Sequence, residues 1–126
     1  MVLGLGTDIT EVPRIARSIE RFGKHFLERV YTPGEIAYCL ARKKSSAQSF
    51  AARFAAKEAG AKALGTGISR GVTWKEIEVV RAAGQAPQLR LSGRAAVRAE
   101  CLGVTRISLS LTHSAETALA VVIMER

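Results

Sequence analysis

Residues 106–125, RISLSLTHSAETALAVVIME, hold two apolar or alternating runs, RISLSLTHS and TALAVVIME, that meet near Ala115 and Glu116. A period of two sends successive side chains to opposite faces of a strand, so the stretch is predicted to close on itself as an antiparallel hairpin. The residues before it support the same architecture. WKEIEVV (74–80), the turn RAAGQAP (81–87) and QLRL (88–91) read as a second hairpin, and SGRAAVRAECLG (92–103) reads as a short helix capped by Ser92 and ended by Gly103. Both faces of the last hairpin are apolar, more than a one-sided sheet under a few helices needs; core and oligomer interface both fit that surplus.

The first half has a different pattern. MVLGLGTD (1–8) reads as a short strand of small and branched residues running into Asp8. Its GLG lacks the third glycine and the following helix of a dinucleotide fingerprint, which excludes that role. Pro13 suits the first turn of a helix extending to about Phe22, with Ile15, Ile19 and Phe22 toward the core. Thr32, Pro33 and Glu35 in TPGEIAYCLARKK (32–44) form a capping box with proline at the first helical position. A third helix is predicted from Ser46–Ser49 to a glycine terminator at Gly65. Helices in the first half and strands in the second, with one strand at the start, give an α+β fold with an antiparallel sheet.

The length of 126 residues suits a single domain, 1–126. There is no run of about 18 apolar residues and no basic-then-apolar leader, so a cytoplasmic protein without a membrane partner is expected. Cys39 and Cys101 are isolated and are expected to be free, buried thiols. Nineteen Lys and Arg against eleven Asp and Glu leave a net charge of +8, which calls for an anionic partner without choosing among nucleic acid, a phosphorylated cofactor, an acidic protein and a membrane surface. Arg14, Arg17, Arg21 and Lys24 recur every three or four residues, so a helix gathers them into one basic stripe. The stripe reads either as a solvated face or as a docking surface for an acidic helix or a phosphate backbone.

The segment FAARFAAKEAGAKAL (50–64) raises the chemical question. With Phe50 at 0° on a helical wheel, Phe54 falls near ~40°, Ala61 near ~20° and Leu64 near about −40°, and these make the buried stripe. Lys57, at about −20°, points into it, Glu58, at about 80°, sits on its shoulder, and Lys62 lies one turn beyond, at about 120°. A surface Glu58–Lys62 pair with Lys57 reaching out to water is one reading. It leaves unexplained the alanines that make room around the trio, and the acid at Asp8. Two carboxylates from different elements, with no His or Cys, suit a hard cation such as Mg2+ held jointly with substrate phosphates, and the lysines suit phosphate chemistry.

GLGTDITEV (4–12) with Asp8, and RFAAKEAGAKALGTG (53–67) with Glu58 and Lys62, resemble the two signature motifs of the 4'-phosphopantetheinyl transferases, specifically the short bacterial holo-[acyl-carrier-protein] synthases. The resemblance runs through WKEIEVV, GQAPQLRL and LSLTHS in the same order and covers essentially the whole chain. It implies that family's fold and the transfer of 4'-phosphopantetheine from coenzyme A to a serine of apo acyl carrier protein for fatty acid biosynthesis, releasing adenosine 3',5'-bisphosphate.

By motif position, the resemblance implies that Asp8 and Glu58 hold Mg2+ on the coenzyme A pyrophosphate. Glu58, directly or through a bound water, helps deprotonate the serine, and Lys62 neutralises or protonates the leaving phosphate. Arg53 and Lys57 are expected either at coenzyme A phosphates or, equally, as structural ion-pair formers; Lys44 and its neighbour Lys43 are expected at phosphates, and His113 as a ligand contact, with a satisfied strand histidine as the alternative. Gly65, Thr66 and Gly67 are expected to offer free backbone N–H groups, with helix termination as the alternative, and Pro87 to wall the adenine. The resemblance further implies a homotrimer with sites between subunits, and an acidic carrier docking on Arg14, Arg17, Arg21 and Lys24. Two rivals remain: a small basic nucleic-acid-binding module, which the 6% aromatic content disfavours, and a Mg2+-dependent phosphohydrolase.

Overall fold

The closing hairpin forms as its alternation dictates. In a computed structural model describing residues 1–126, β4 (Arg106–His113) and β5 (Thr117–Glu125) pair antiparallel. The first strand, β1 (Val2–Glu11), adds to the far side of β5, giving an antiparallel sheet of order β1-β5-β4. Asp8 is therefore inside a strand, opposite Ala120, because pairing continues through Ile9–Leu119 and Thr10–Ala118. The second predicted hairpin is also present, as β2 (Ile77–Val80) and β3 (Gln88–Leu91), a separate two-stranded sheet. The helices are α1 (Val12–Phe22), α2 (Lys24–Val30), α3 (Pro33–Ala41), α4 (Ser46–Ala63) and α5 (Gly93–Leu102).

The expected one-sided stripe of α4 is replaced by burial around almost its whole circumference: 13 of its 18 residues are buried. Such a helix runs through a core and does not lie on one. On one side it crosses β1 and β5, and on the other it meets α1, α3 and β2. The alanines thus admit neighbouring backbone, and the expectation that they make room for a ligand gives way. GLG has the same purpose. A Cβ on Gly4 would overlap the carbonyl oxygen of Ala63, and one on Gly6 that of Ala59, so glycine lets strand and helix touch. Gly60 repeats the device on the other side, where a Cβ would lie 3.0 Å from Ile77 Cγ2 and 3.3 Å from Leu89 Cδ1. Gly6→Ala must push α4 off the sheet and is expected to destabilise the protein by about 2–3 kcal/mol, read as a fall in Tm.

The capping box forms as predicted: the Thr32 hydroxyl accepts from Glu35 N at 3.2 Å, and Glu35 Oε1 accepts from Thr32 N at 2.8 Å. At the other end of the helical half, α4 is terminated by Gly65 in the left-handed region at φ 81°. Two expectations for α1 need correction. Ile15 is buried and Ile19 packs on the core, but Phe22 is 53% exposed under the Arg21 guanidinium, because the helix stops at Gly23 (φ 54°). Lys24 accordingly begins α2 and pairs with Glu28, so the basic stripe proper is Arg14, Arg17 and Arg21. Of the two free cysteines only Cys39 is buried, with its thiol pushed up to about 11 by burial; Cys101 is exposed on α5.

The outer face of the three-stranded sheet is open. Leu5 and Ile9 are 60% and 65% exposed on β1, beside half-buried Leu119, Val121 and Ile123 of β5. No helix is long and apolar enough to cross a membrane.

Candidate active site

Lys57 is fully buried, and its three donors are all used. Its Nζ donates to Glu35 Oε1 at 2.7 Å and to the carbonyls of Trp74 and Ile77, each at 3.0 Å. Glu35 also accepts from Val79 N at 2.8 Å. Burial lowers the Lys57 pKa, and the Glu35 carboxylate opposes that shift. A buried ion pair persists when its remaining hydrogen-bonding capacity is met, as it is here. Lys57 therefore ties α3 and α4 to β2: of its expected roles the structural ion pair is the one that forms, and it reaches neither a coenzyme A phosphate nor water, since its side chain is fully buried and no donor is left.

Glu58 and Lys62 face another way. Lys62 Nζ does not pair with Glu58; it donates to Asp8 Oδ1 at 3.2 Å and to Thr7 O at 3.0 Å. The Thr10 hydroxyl donates to Asp8 Oδ2 at 2.8 Å, which orients that carboxylate from within its own strand. Burial raises the Glu58 pKa, and the nearby Asp8 charge raises it further, while the Trp74 indole, Lys62 and Arg14 act in the opposite sense. The Trp74 Nε1 donor is buried and close enough for that effect, yet has no acceptor in hydrogen-bonding geometry. The close contact of β1 with α4 through Gly6 thus carries two carboxylates and a lysine to one place. Arg14, whose guanidinium lies 5.6 Å from the Phe54 ring centre, joins the stripe on α1 to the same neighbourhood.

No cluster of three His, Cys, Asp or Glu side chains occurs. Asp8 and Glu58 together suit a hard divalent cation that draws its remaining oxygens from phosphate or water, since Mg2+ is ordinarily held by one or two carboxylates plus substrate phosphates. The repulsion that raises Glu58 is what such a cation relieves.

A second group of expected residues gathers elsewhere. Arg53, Pro87 and His113 line one cleft of about 320 Å3, together with Tyr38, Arg42 and Arg81, which the sequence reading missed. The Arg53 and Arg42 guanidinium groups lie 4.0 and 4.9 Å from the Tyr38 ring centre. Arg53 is 5% exposed, and its Nε has no partner. A cationic cleft with an unsatisfied buried donor fits a phosphate. Tyr38 lies on α3, Arg42 just past its end and Arg81 at the start of the hairpin turn, and nothing in the sequence beyond their residue types pointed to them. Lys43 and Lys44 are exposed on a 3-10 turn at Lys43–Ser45.

The Gly65–Gly67 expectation is corrected. Gly65 N donates to Lys62 O at 2.9 Å, and Thr66 N and Gly67 N both donate to Ala61 O, at 3.3 and 3.1 Å. Their amides close the helix and are not free for a phosphate.

The model of the 4'-phosphopantetheinyl transferase superfamily matches residues 4–122. The chain is 54% identical over 125 residues to the holo-[acyl-carrier-protein] synthase of Koribacter versatilis, covering 99% of both chains. It is 48% identical over 126 residues to that of Maridesulfovibrio salexigens, covering all of both. Among solved structures, the holo-[acyl-carrier-protein] synthase of Neisseria meningitidis matches at a TM-score of 0.87 and 38% identity over the whole of both chains. The Helicobacter pylori enzyme in complex with coenzyme A matches at 0.83 and 34% identity, covering 96% of this chain and 99% of that one.

Proposed function

The chain belongs to the 4'-phosphopantetheinyl transferase superfamily, and from that premise we infer that it moves the 4'-phosphopantetheine arm of coenzyme A onto a serine hydroxyl of apo acyl carrier protein. The observation that carries the chemistry is the meeting of Asp8, Glu58 and Lys62 at the contact of β1 with α4. The serine oxygen forms a bond to the β-phosphorus of the pyrophosphate, the bond from that phosphorus to the bridging oxygen breaks, and adenosine 3',5'-bisphosphate departs. Glu58 accepts the serine proton, a role its raised pKa favours by making it a better base. Lys62, whose side chain is 53% exposed, swings its ammonium from Asp8 toward the charge growing on the leaving phosphate. Asp8 and Glu58 would hold Mg2+, which when bound neutralises the pyrophosphate oxygens. Incubation with coenzyme A, Mg2+ and apo carrier should raise the carrier mass by one phosphopantetheine. A nucleic-acid module or a phosphohydrolase leaves that mass unchanged.

The Arg53 cleft would receive the 3'-phosphate end of coenzyme A, with Lys44 at its rim. Arg53 and Lys62 are nine residues apart on one helix, hence about 180° around its axis and ~13 Å along it, so one copy of α4 turns them to opposite sides. A ligand reaching both sets takes them from two copies. The open apolar face with Leu5, Ile9 and Val121 supports assembly, and a homotrimer with sites between subunits is the arrangement proposed. Glu58→Gln and Arg53→Ala protomers, each nearly inactive alone, are then expected to regain a substantial fraction of activity when refolded together. Failure of the mixture, at a measured mass of more than one chain, would put each site within a single chain.

The α1 stripe would dock the acidic carrier. Glu20 lies in the same groove as Arg14, Arg17 and Arg21, so the surface is less purely basic than expected, yet the arginines outnumber it. Arg14→Glu with Arg21→Glu should raise KM for the carrier by about tenfold or more, flatten the salt dependence of kcat/KM and leave KM for coenzyme A nearly unchanged. Unchanged carrier kinetics would remove the stripe from docking.

A further inference from the structure

A second cleft, of about 600 Å3, opens between α5 and the segment 66–76, and three arginines, Arg70, Arg94 and Arg98, line it with Val72, Val97 and Cys101. None of the three takes part in an ion pair. Glu76 is the one acid on the wall, and its oxygens are already used: Oε1 accepts from Thr73 N at 2.9 Å and Oε2 from Arg94 N at 2.7 Å.

One of the arginines is held by a backbone acceptor and a second packs along the backbone. Arg98 Nε donates to Leu64 O at 2.9 Å. The aliphatic stem of Arg94 lies against Gly71, at φ 86°, where any Cβ would overlap it. A guanidinium fixed as that of Arg98 is loses little further freedom on binding an anion, and three guanidinium groups against one carboxylate, itself occupied by backbone amides, leave the cleft short of negative charge. The wall also has an apolar part, with Val97 60% exposed above buried Val72. Asp8, Glu58, Lys62, Arg53 and His113 are all absent from this cleft.

We propose that this cleft is a separate binding site for an anionic amphiphile, with a phosphate or carboxylate head on Arg70, Arg94 and Arg98 and a short apolar tail on Val72 and Val97. The assignment is independent of the transferase reading, and its test reads binding and not turnover. Two sources share this chemistry, a free acyl phosphate-type or carboxylate amphiphile and the headgroup region of an anionic bilayer.

The protein would be titrated with decyl phosphate below its micellar concentration, with inorganic phosphate, and with phosphatidylcholine vesicles containing or lacking phosphatidylglycerol. Decyl phosphate is expected to bind at least about tenfold more tightly than inorganic phosphate, and to slow alkylation of Cys101 by N-ethylmaleimide. The paired substitution Arg70→Gln and Arg94→Gln should weaken it by about tenfold or more with Tm preserved, and Val97→Asn should weaken decyl phosphate but not inorganic phosphate. Binding to monomeric decyl phosphate assigns the free amphiphile. Binding only to phosphatidylglycerol vesicles, lost in the Arg70/Arg94 variant, assigns the bilayer. Binding to neither, or binding that the arginine substitutions leave unchanged, overturns the proposal.

Discussion

Glu58→Gln is expected to lower kcat for carrier modification by about 10^2–10^4-fold with the fold intact, and Asp8→Asn by a comparable factor. Glutamine keeps the size of Glu58 and removes both the base and the charge. Asparagine at position 8 keeps an acceptor for the Thr10 hydroxyl, which now donates at 2.8 Å, but loses half the charge that would hold a divalent cation. The measurement is carrier mass against time at saturating Mg2+, with circular dichroism and Tm to certify folding.

The same carboxylate predicts a pH dependence. Burial and Asp8 raise the Glu58 pKa in the metal-free protein, so kcat/KM at low Mg2+ should rise with pH as Glu58 gives up its proton, and saturating Mg2+, which relieves the repulsion from Asp8, should move that limb downward. The sign for stability is opposite. The folded state retains the Glu58 proton to higher pH than the unfolded chain does, so stability falls as pH rises from the unfolded pKa through the folded one. Near-normal turnover in a well-folded Glu58→Gln protein would remove Glu58 from both base and metal roles.

The second large effect is on stability. Lys57→Met leaves Glu35 buried beside an uncharged side chain and deprives the Trp74 and Ile77 carbonyls of their donor. Breaking a buried pair from one side costs about 3–5 kcal/mol, which for a chain of this size lowers Tm by on the order of 10 °C or more. Adding Glu35→Gln should recover part of the loss, since a neutral amide tolerates the vacancy better than a carboxylate. Well below its Tm the single variant should keep kcat and KM for coenzyme A within a few-fold of the parent protein. A variant of unchanged Tm that bound coenzyme A many times more weakly would return Lys57 to the ligand and overturn the structural role.

These two residues, adjacent in sequence, mark how far reading along the chain can go. Local signals held up: the alternation of 106–125, the Thr32–Glu35 capping box and the glycine stop after α4 each depend on residues within a few positions. The nearness of Asp8 to Glu58 and Lys62 was legible because two lone carboxylates on different elements, and then the motif resemblance, pointed to one another. For Lys57 an ion pair was one of two readings, but its partner was not legible, since that partner lies 22 residues away and Glu35 already had a sufficient local explanation as a cap. The wheel placed Lys57 correctly inside the buried face but could not supply the carboxylate waiting there. GLG illustrates the same limit, because the reason for those glycines is the backbone of Ala59 and Ala63, on a helix more than 50 positions later. The Gly65–Gly67 amides failed for a different reason. A glycine run suits both an open nest and a closed helix end, and only the acceptor actually used, Ala61 O, tells them apart.

The pairing of β1 with β5 also sets an order of events. Asp8 lies opposite Ala120, 112 positions later, so the strand that holds it has no β-partner until β5 is in place. Helix α4 can form earlier from its own residues, with Glu58 and Lys62 already on it, but contacts between distant segments carry the largest loop-closure entropy and come late. Folding intermediates that lack β5 should therefore be helical and catalytically silent. Recovery of activity after dilution from denaturant would then follow closure of the sheet and lag behind recovery of helical signal, which makes turnover itself a clock for the last long-range step.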